Sequence, residues 1–200
     1  MATTKQSVGN SRFNEAFGSA SERATLKLKT HLTPYVQEFI QNAPFAVVAT
    51  SGDQGRCDAS PKGGKPGFVK VLDEKHLLFP DVAGNGLFQS YQNIDVSPYI
   101  GLIFFIPGLN DTVRVNGKVT IVSKEDLERR DLEVSLYELD DRSRHQQGML
   151  IEVEEAYSHC PRAFKFSNLW DEEAIGKNKA ESPIPQRTDE NYHKHQEGSR

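Results

Sequence analysis

Ten of the fifteen glycines lie between Gly52 and Gly117, where short apolar runs alternate with turn residues. Glycine serves turns, bulges and close backbone approach, and it weakens helices. A stretch punctuated this way predicts several short strands rather than long helices or a doubly wound sheet. Strands are expected at Pro44 to Thr50, Phe68 to Leu72, His76 to Phe79, Tyr99 to Ile106, Thr112 to Val122 and Met149 to Val153. The segment Ser51-Gly52-Asp53-Gln54-Gly55 has the composition of a hairpin turn, and Asp73-Glu74-Lys75 marks another. Tyr99 to Ile106 is apolar on both faces, which predicts a central strand buried on both sides. In Thr112 to Val122, Val113, Val115, Val119 and Ile121 alternate with Arg114, Asn116, Lys118 and Thr120. The alternation runs through Asn116-Gly117 in register, so one long strand with a bulge is expected there rather than a hairpin.

Helical signals are short. Thr33-Pro34 is a cap followed by a first-turn proline, ahead of Tyr35, Val36, Phe39 and Ile40. Asn85 can cap a helix carrying Leu87, Phe88, Tyr91 and Ile94. Ser123 to Asp126 resembles a capping box, and Pro161 opens a last short helix. The two ends are polar. Residues 1–22 are expected to form a mobile arm, and residues 171–200, with seven acids and five bases, an extended or disordered tail. The domain proper is then 23–170, mainly β with α+β character: six strands with short helices between them.

The charge and cysteine counts exclude several classes. A net charge of -4 argues against a dedicated nucleic-acid binder. Cys57 and Cys160 are too few for a disulfide scaffold and form no CxxC pair. The remaining histidines show no ligand spacing around His159-Cys160, so no metal site is expected. The longest apolar run is far too short to span a bilayer, and no signal peptide is visible at the first residues, so a cytoplasmic location is expected.

Four segments could carry chemistry. Arg56 to Lys70 holds four bases and one acid, a local +3, around Ser60-Pro61-Lys62-Gly63-Gly64-Lys65-Pro66-Gly67-Phe68-Val69-Lys70. Its glycines permit close approach and its lysines supply cations for phosphate. It matches neither a Walker loop nor a dinucleotide turn, and a solvated basic hairpin loop explains the composition about as well. Asp81 to Gly86 joins a strand to a helix start, where unpaired amides attract anions. Thr112, Arg114 and Asn116 form the polar face of a strand. Ser158-His159-Cys160-Pro161, with Trp170, could pack near a ligand. Glu152, Glu154 and Glu155 are expected to form a solvated face.

The order of three blocks carries more information than any one of them. SPKGGKPGFVKVLDEKHLLFPDVAGN, then NIDVSPYIGLIFFIPGLNDTVRVNGKV, then SHCPRAFKFSNLW resembles the pyridoxamine 5'-phosphate oxidase-like FMN-binding proteins, and among them an oxidase-related branch of unassigned substrate. The resemblance covers about Pro44 to Trp170. It implies a six-stranded split β-barrel that forms a homodimer and binds FMN in clefts at the interface. It places Ser60, Pro61, Lys62, Gly63, Lys65, Gly67, Phe68, Val69 and Lys70 along the cofactor, with Lys65 and Lys70 matching a spaced basic pair of the family. It sets Asn85 toward the phosphate, Thr112, Arg114 and Asn116 on the neighbouring strand, and His159, Cys160 and Trp170 at the closing edge.

Two departures sharpen the expectation. Gly86-Leu87-Phe88 stands where many relatives carry a phosphate-holding base, which shifts that charge to Lys62, Lys65, Lys70 or Arg114. The Arg-Leu-Ala-Pro-type tail of true pyridoxamine phosphate oxidases is missing, which points away from that substrate. The implied function is FMN-dependent oxidoreduction of a small molecule or a reduced nicotinamide, with no catalytic residue identifiable. The alternative is a flavin- or heme-binding module without turnover.

Overall fold

The computed structural model describes residues 12–82, 88–129 and 145–184. Asn85 and its loop fall outside them. The chain divides into two compact units. The first takes the residues up to 106 together with 111–160, and the second takes 107–110 together with residues from 161 onward.

The first unit is built on one antiparallel sheet of seven strands: β1 (Phe45–Ser51), β2 (Cys57–Gly63), β3 (Lys70–Val71), β4 (His76–Val82), β5 (Tyr99–Phe105), β6 (Thr112–Ser123) and β7 (His145–His159), in the order β2-β1-β5-β6-β7-β4-β3. The expected count of six fails because Cys57 to Gly63, polar and proline-containing, gives no hydrophobic signal. It is an edge strand, where proline is tolerated because one ladder side is unused. The strand expected at Phe68 to Leu72 shrinks to two residues, since Phe68 and Val69 sink into the core instead. The last strand is fifteen residues long rather than five.

The two sheet edges, β2 and β3, are joined by residues 64–69 alone. Gly63 to Lys70 can span at most about 25 Å of extended chain. Seven strands laid flat would measure about 29 Å across. The link is further shortened by a turn in which the Phe68 amide donates to the Lys65 carbonyl (2.9 Å), with Gly67 in the left-handed region at φ 78°. The sheet therefore curls, but β2 and β3 do not pair and the barrel is not closed.

The concave face carries the main core: Ala46 and Val48 of β1, Leu102 and Phe104 of β5, Val113 and Val115 of β6, and Leu77 and Phe79 of β4. Helix α3 (Pro34–Asn42) closes it with Val36, Phe39 and Ile40. Thr33 caps α3 by accepting from the Val36 amide, as its sequence indicates, whereas Tyr35 turns outward and is 52% exposed. Among the described residues of this unit, the outer face is covered at one end only. Helix α5 (Lys124–Arg129), capped by Ser123, lays Leu127 over Leu78 and Val122. At the other end Tyr99, Ile103 and Phe105 of β5 lie half-buried or exposed. β5 is central in the sheet, as expected, but is buried on one face rather than two.

Helix α4 (Gln89–Val96) packs against the β1–β2 hairpin through a buried polar contact that its sequence does not announce. The Asn93 amide donates to Thr50 Oγ1 (3.0 Å) and to the Asp58 carboxylate (2.7 Å), and its carbonyl oxygen sits where a Cβ on Gly52 would be. Asn93→Ala leaves two acceptors without their donor and is expected to cost about 2 kcal/mol. Urea denaturation measures this, and an unchanged midpoint would rule the network out as a stabilising element.

The ends hold short helices. Within the segment expected to be a mobile arm lies α1 (Arg12–Phe17), and α2 (Glu22–Leu26) starts at its last residue. In the second unit, α6 (Arg162–Ser167) starts after Pro161 and is followed by α7 (Glu172–Ala180), where an extended or disordered tail was expected. Asp171 caps α7 by accepting from the Ala174 amide. Glu172 and Glu173 sit in its first turn, and Lys177 and Lys179 in its last, a charge order that favours a helix without any buried residue.

Candidate functional site

The ladders decide which candidate residues share a surface. On the outer face, pairing sets rows across the strands. One runs Pro61, Val47, Ile103, Arg114, Tyr157; the next runs Ala59, Ala49, Gly101, Asn116, Glu155. The second row is made of small residues until it reaches Asn116, which leaves a shallow floor beside the apolar first row. A Cβ on Gly101 would stand 3.4 Å from Asn116 Oδ1 and 3.8 Å from the Ala49 methyl.

The polar end of these rows is a cross-strand cluster. The Arg114 guanidinium donates to the Tyr157 hydroxyl (3.2 Å) and lies 5.9 Å from that ring's centre. The Asn116 amide nitrogen donates to Glu155 Oε1 (2.9 Å). A carboxylate only accepts, so this bond fixes which way the amide faces and leaves Oδ1 on the Gly101 side. The His159 ring lies 5.8 Å from that of Tyr157.

This cluster exists because of a register shift. Asn116 pairs with Glu155 but Gly117 pairs with Val153, so Glu154 is an extra residue on β7. The bulge lies at the position expected from β6, but the inserted residue belongs to its partner, and the alternation of β6 continues unbroken. Side chains alternate faces along a strand, so one extra residue exchanges the faces of everything beyond it. Glu155, Tyr157 and His159 thereby point outward while Val153 and Ala156 stay in the core. Gly117 makes the close approach possible, since a Cβ there would stand 2.3 Å from the Glu152 carbonyl oxygen. Glu155 is thus half-buried and hydrogen-bonded rather than part of a solvated acidic face.

The basic segment is distributed differently. Ser60 and Lys62 are half-buried on the same face as Val48 and Ala46, with which they pair, and Pro61 and Gly63 are exposed on the outer face. The segment read as a loop is therefore strand at its start. Lys65 is exposed on the link and Lys70 half-buried on β3, at the opposite sheet edge from Lys62. Phe68 and Val69 are core residues, Phe68 meeting Phe79 edge to face at 5.4 Å, so only their backbone could meet a ligand. Gly64 is held against Phe68, and Gly67 provides the left-handed turn.

Thr112 is buried, His159 half-buried and Cys160 exposed at the end of β7. Trp170, in the second unit, donates from Nε1 to the Leu109 carbonyl (2.9 Å) and stacks on Phe164 at 6.1 Å. The structure thus brings together Pro61, Arg114, Asn116 and His159 on one face and sets Ser60 and Lys62 on the other. Glu155 and Tyr157 were missed. Period-two reading of β7 from Met149 to Val153 puts them on the wrong faces, and only an unexplained change of phase after Val153 signals otherwise.

Among the described residues no group of three or more His, Cys, Asp or Glu is placed to hold a metal ion, and no helix is long and apolar enough to cross a membrane. On the outer face a permanently charged guanidinium, an oriented amide and a shallow apolar floor suit a planar anionic ligand, while Lys62 lies on the opposite face, Lys65 on the link and Lys70 at the far edge.

Comparison with known proteins adds the following. No curated protein matches the chain. Among solved structures, HupZ from Group A Streptococcus is 19% identical, the match covering 63% of this chain and 92% of that one at a TM-score of 0.44. A pyridoxamine 5'-phosphate oxidase-related, FMN-binding protein from Nostoc punctiforme is 13% identical (65% and 85% covered, TM-score 0.43). HutZ, the heme storage protein from Vibrio cholerae, is 16% identical (62% and 89% covered, TM-score 0.41). The family model described as pyridoxamine 5'-phosphate oxidase matches residues 32–160. That span begins just before α3 and ends one residue past β7, taking in every strand of the sheet. By this match the chain belongs to the pyridoxamine 5'-phosphate oxidase family.

Proposed function

We propose that this protein binds FMN at the interface of a homodimer and acts as an FMN-dependent oxidoreductase on a small organic substrate or a reduced nicotinamide. The observation that carries the reading is the outer face of the sheet: a shallow apolar floor ending in Arg114 and Asn116, each held by a neighbour on β7. An arginine so placed offers a fixed cation to a bound anion or to a reduced, negatively charged ring. Asn116 Oδ1 offers an acceptor for a ring N–H. Lys65 and Lys70 are proposed to supply the further positive charge that a phosphate dianion needs, and His159 and Cys160, at the end of β7, to close the site. Bound FMN would supply the hydride acceptor, so the chain's own part is binding, orientation and exclusion of water.

The same surface supports a homodimer. Phe45 and Tyr99 are exposed there and Val47, Ile103 and Phe105 only half-buried, an apolar area that a second copy would cover.

The direct test is the absorbance spectrum of the purified protein, with and without added FMN. Flavin bands in a protein of dimer mass support the reading. A protein that neither carries nor takes up FMN overturns it, and a heme spectrum instead would favour storage or sensing. Lys65→Ala and Lys70→Ala are each expected to weaken FMN about 10-fold if they pair with the phosphate. Titration by flavin fluorescence checks this, and unchanged affinity in both would remove them from the site.

A further inference from the structure

We infer that Tyr157 is a positioning residue for the ligand site, fixing the Arg114 guanidinium. This rests on the FMN reading above for the identity of the ligand, though not for the contact itself. An arginine side chain on an open strand face has many rotamers, and holding one costs entropy at the moment of binding. Here that cost falls on folding instead. The Tyr157 hydroxyl accepts from Arg114 Nη1 at 3.2 Å, the guanidinium lies 5.9 Å from the ring centre, and the His159 ring backs Tyr157 at 5.8 Å. The tyrosine uses one donor of five, so the others remain for a ligand.

The arrangement depends on the extra residue, Glu154. If Glu154 instead took a place in the ladder opposite Asn116, Tyr157 would stand opposite Val113 on the core face and Arg114 would face Ala156. Glu155 does the same for Asn116 by engaging its amide nitrogen, so the bulge places two orienting side chains opposite two candidate ligand-binding ones.

The test is a double-mutant cycle read by FMN titration of the full-length protein, with Arg114→Ala, Tyr157→Phe and the double variant. Tyr157→Phe keeps the ring and removes only the hydroxyl, so the fold is expected to stand. The expected result is a loss of affinity of about 5- to 10-fold for Tyr157→Phe in the native background and none on top of Arg114→Ala. Equal losses in both backgrounds, or no loss in either, overturn the inference. A second measurement needs no ligand: the guanidinium NMR signal of Arg114 should show slowed rotation in the native protein and fast rotation in Tyr157→Phe. Slowed rotation without FMN uptake would sink the FMN reading and leave the positioning role intact. Fast rotation in the native protein would sink the positioning role alone.

Discussion

Gly117→Ala is expected to cost about 3 kcal/mol, at the upper end of what one added methyl group does in a packed site. The new Cβ would stand 2.3 Å from the Glu152 carbonyl oxygen and 3.0 Å from Ile151 Cγ2. The first of these is backbone inside a hydrogen-bonded ladder, so nothing flexible can yield. Strands β6 and β7 must separate locally, at the bulge itself. For a chain of this size, 3 kcal/mol lowers Tm by roughly 6–12 °C. Calorimetry or thermal unfolding by circular dichroism measures it, and a Tm within a degree of the native value would refute the close approach. The same variant should lose FMN affinity, because the register of Glu155 and Tyr157 depends on that bulge. Gly101→Ala is the useful contrast. Its Cβ would meet Asn116 Oδ1 at 3.4 Å, ordinary contact with a side-chain atom.

Arg114→Ala should weaken FMN by roughly 10- to 100-fold, equivalent to about 1.5–3 kcal/mol for a charge-assisted hydrogen bond. The fold should barely notice, since Arg114 is half-buried on the outer face and its partner hydroxyl can turn to water. Arg114→Lys should fall between, keeping the charge but losing the planar fork and the ring contact with Tyr157. Fluorescence titration gives the affinities, and denaturation of the apo-protein checks that stability is kept. An affinity equal to the native value in Arg114→Ala would remove Arg114 from the site and shift the phosphate charge to the lysines.

Local signals were legible where the interaction is local. Thr33-Pro34 and Ser123 cap the helices they precede, and Asp73-Glu74-Lys75 forms its turn, the Asp73 carboxylate accepting from the Lys75 amide and meeting the His76 ring. Those contacts hold its pKa below the usual carboxylate range. The alternation in β6 marked one long strand because a half-buried strand must repeat with period two. What failed had a shared cause. β2 is a polar edge strand whose pairing is set by β1, not by its own residues. β5 looked doubly buried because apolar residues on an open face look like core until the sheet order is known. Glu155 and Tyr157 could not be placed because the residue that aims them, Glu154, matters only through its partner strand.

By itself the sequence determined a mainly β domain, its principal strands and caps, and, through the order of three motif blocks, its family. The tertiary structure decided which of those residues meet. Arg114, Asn116, Glu155 and Tyr157 are joined across a ladder by a one-residue bulge, while the lysines of a single basic segment are carried to opposite edges of a curled sheet. The reason is that strand pairing is a contact between segments distant in the chain. One strand's composition states which of its own residues share a face, but only the register of its neighbour states what they face together.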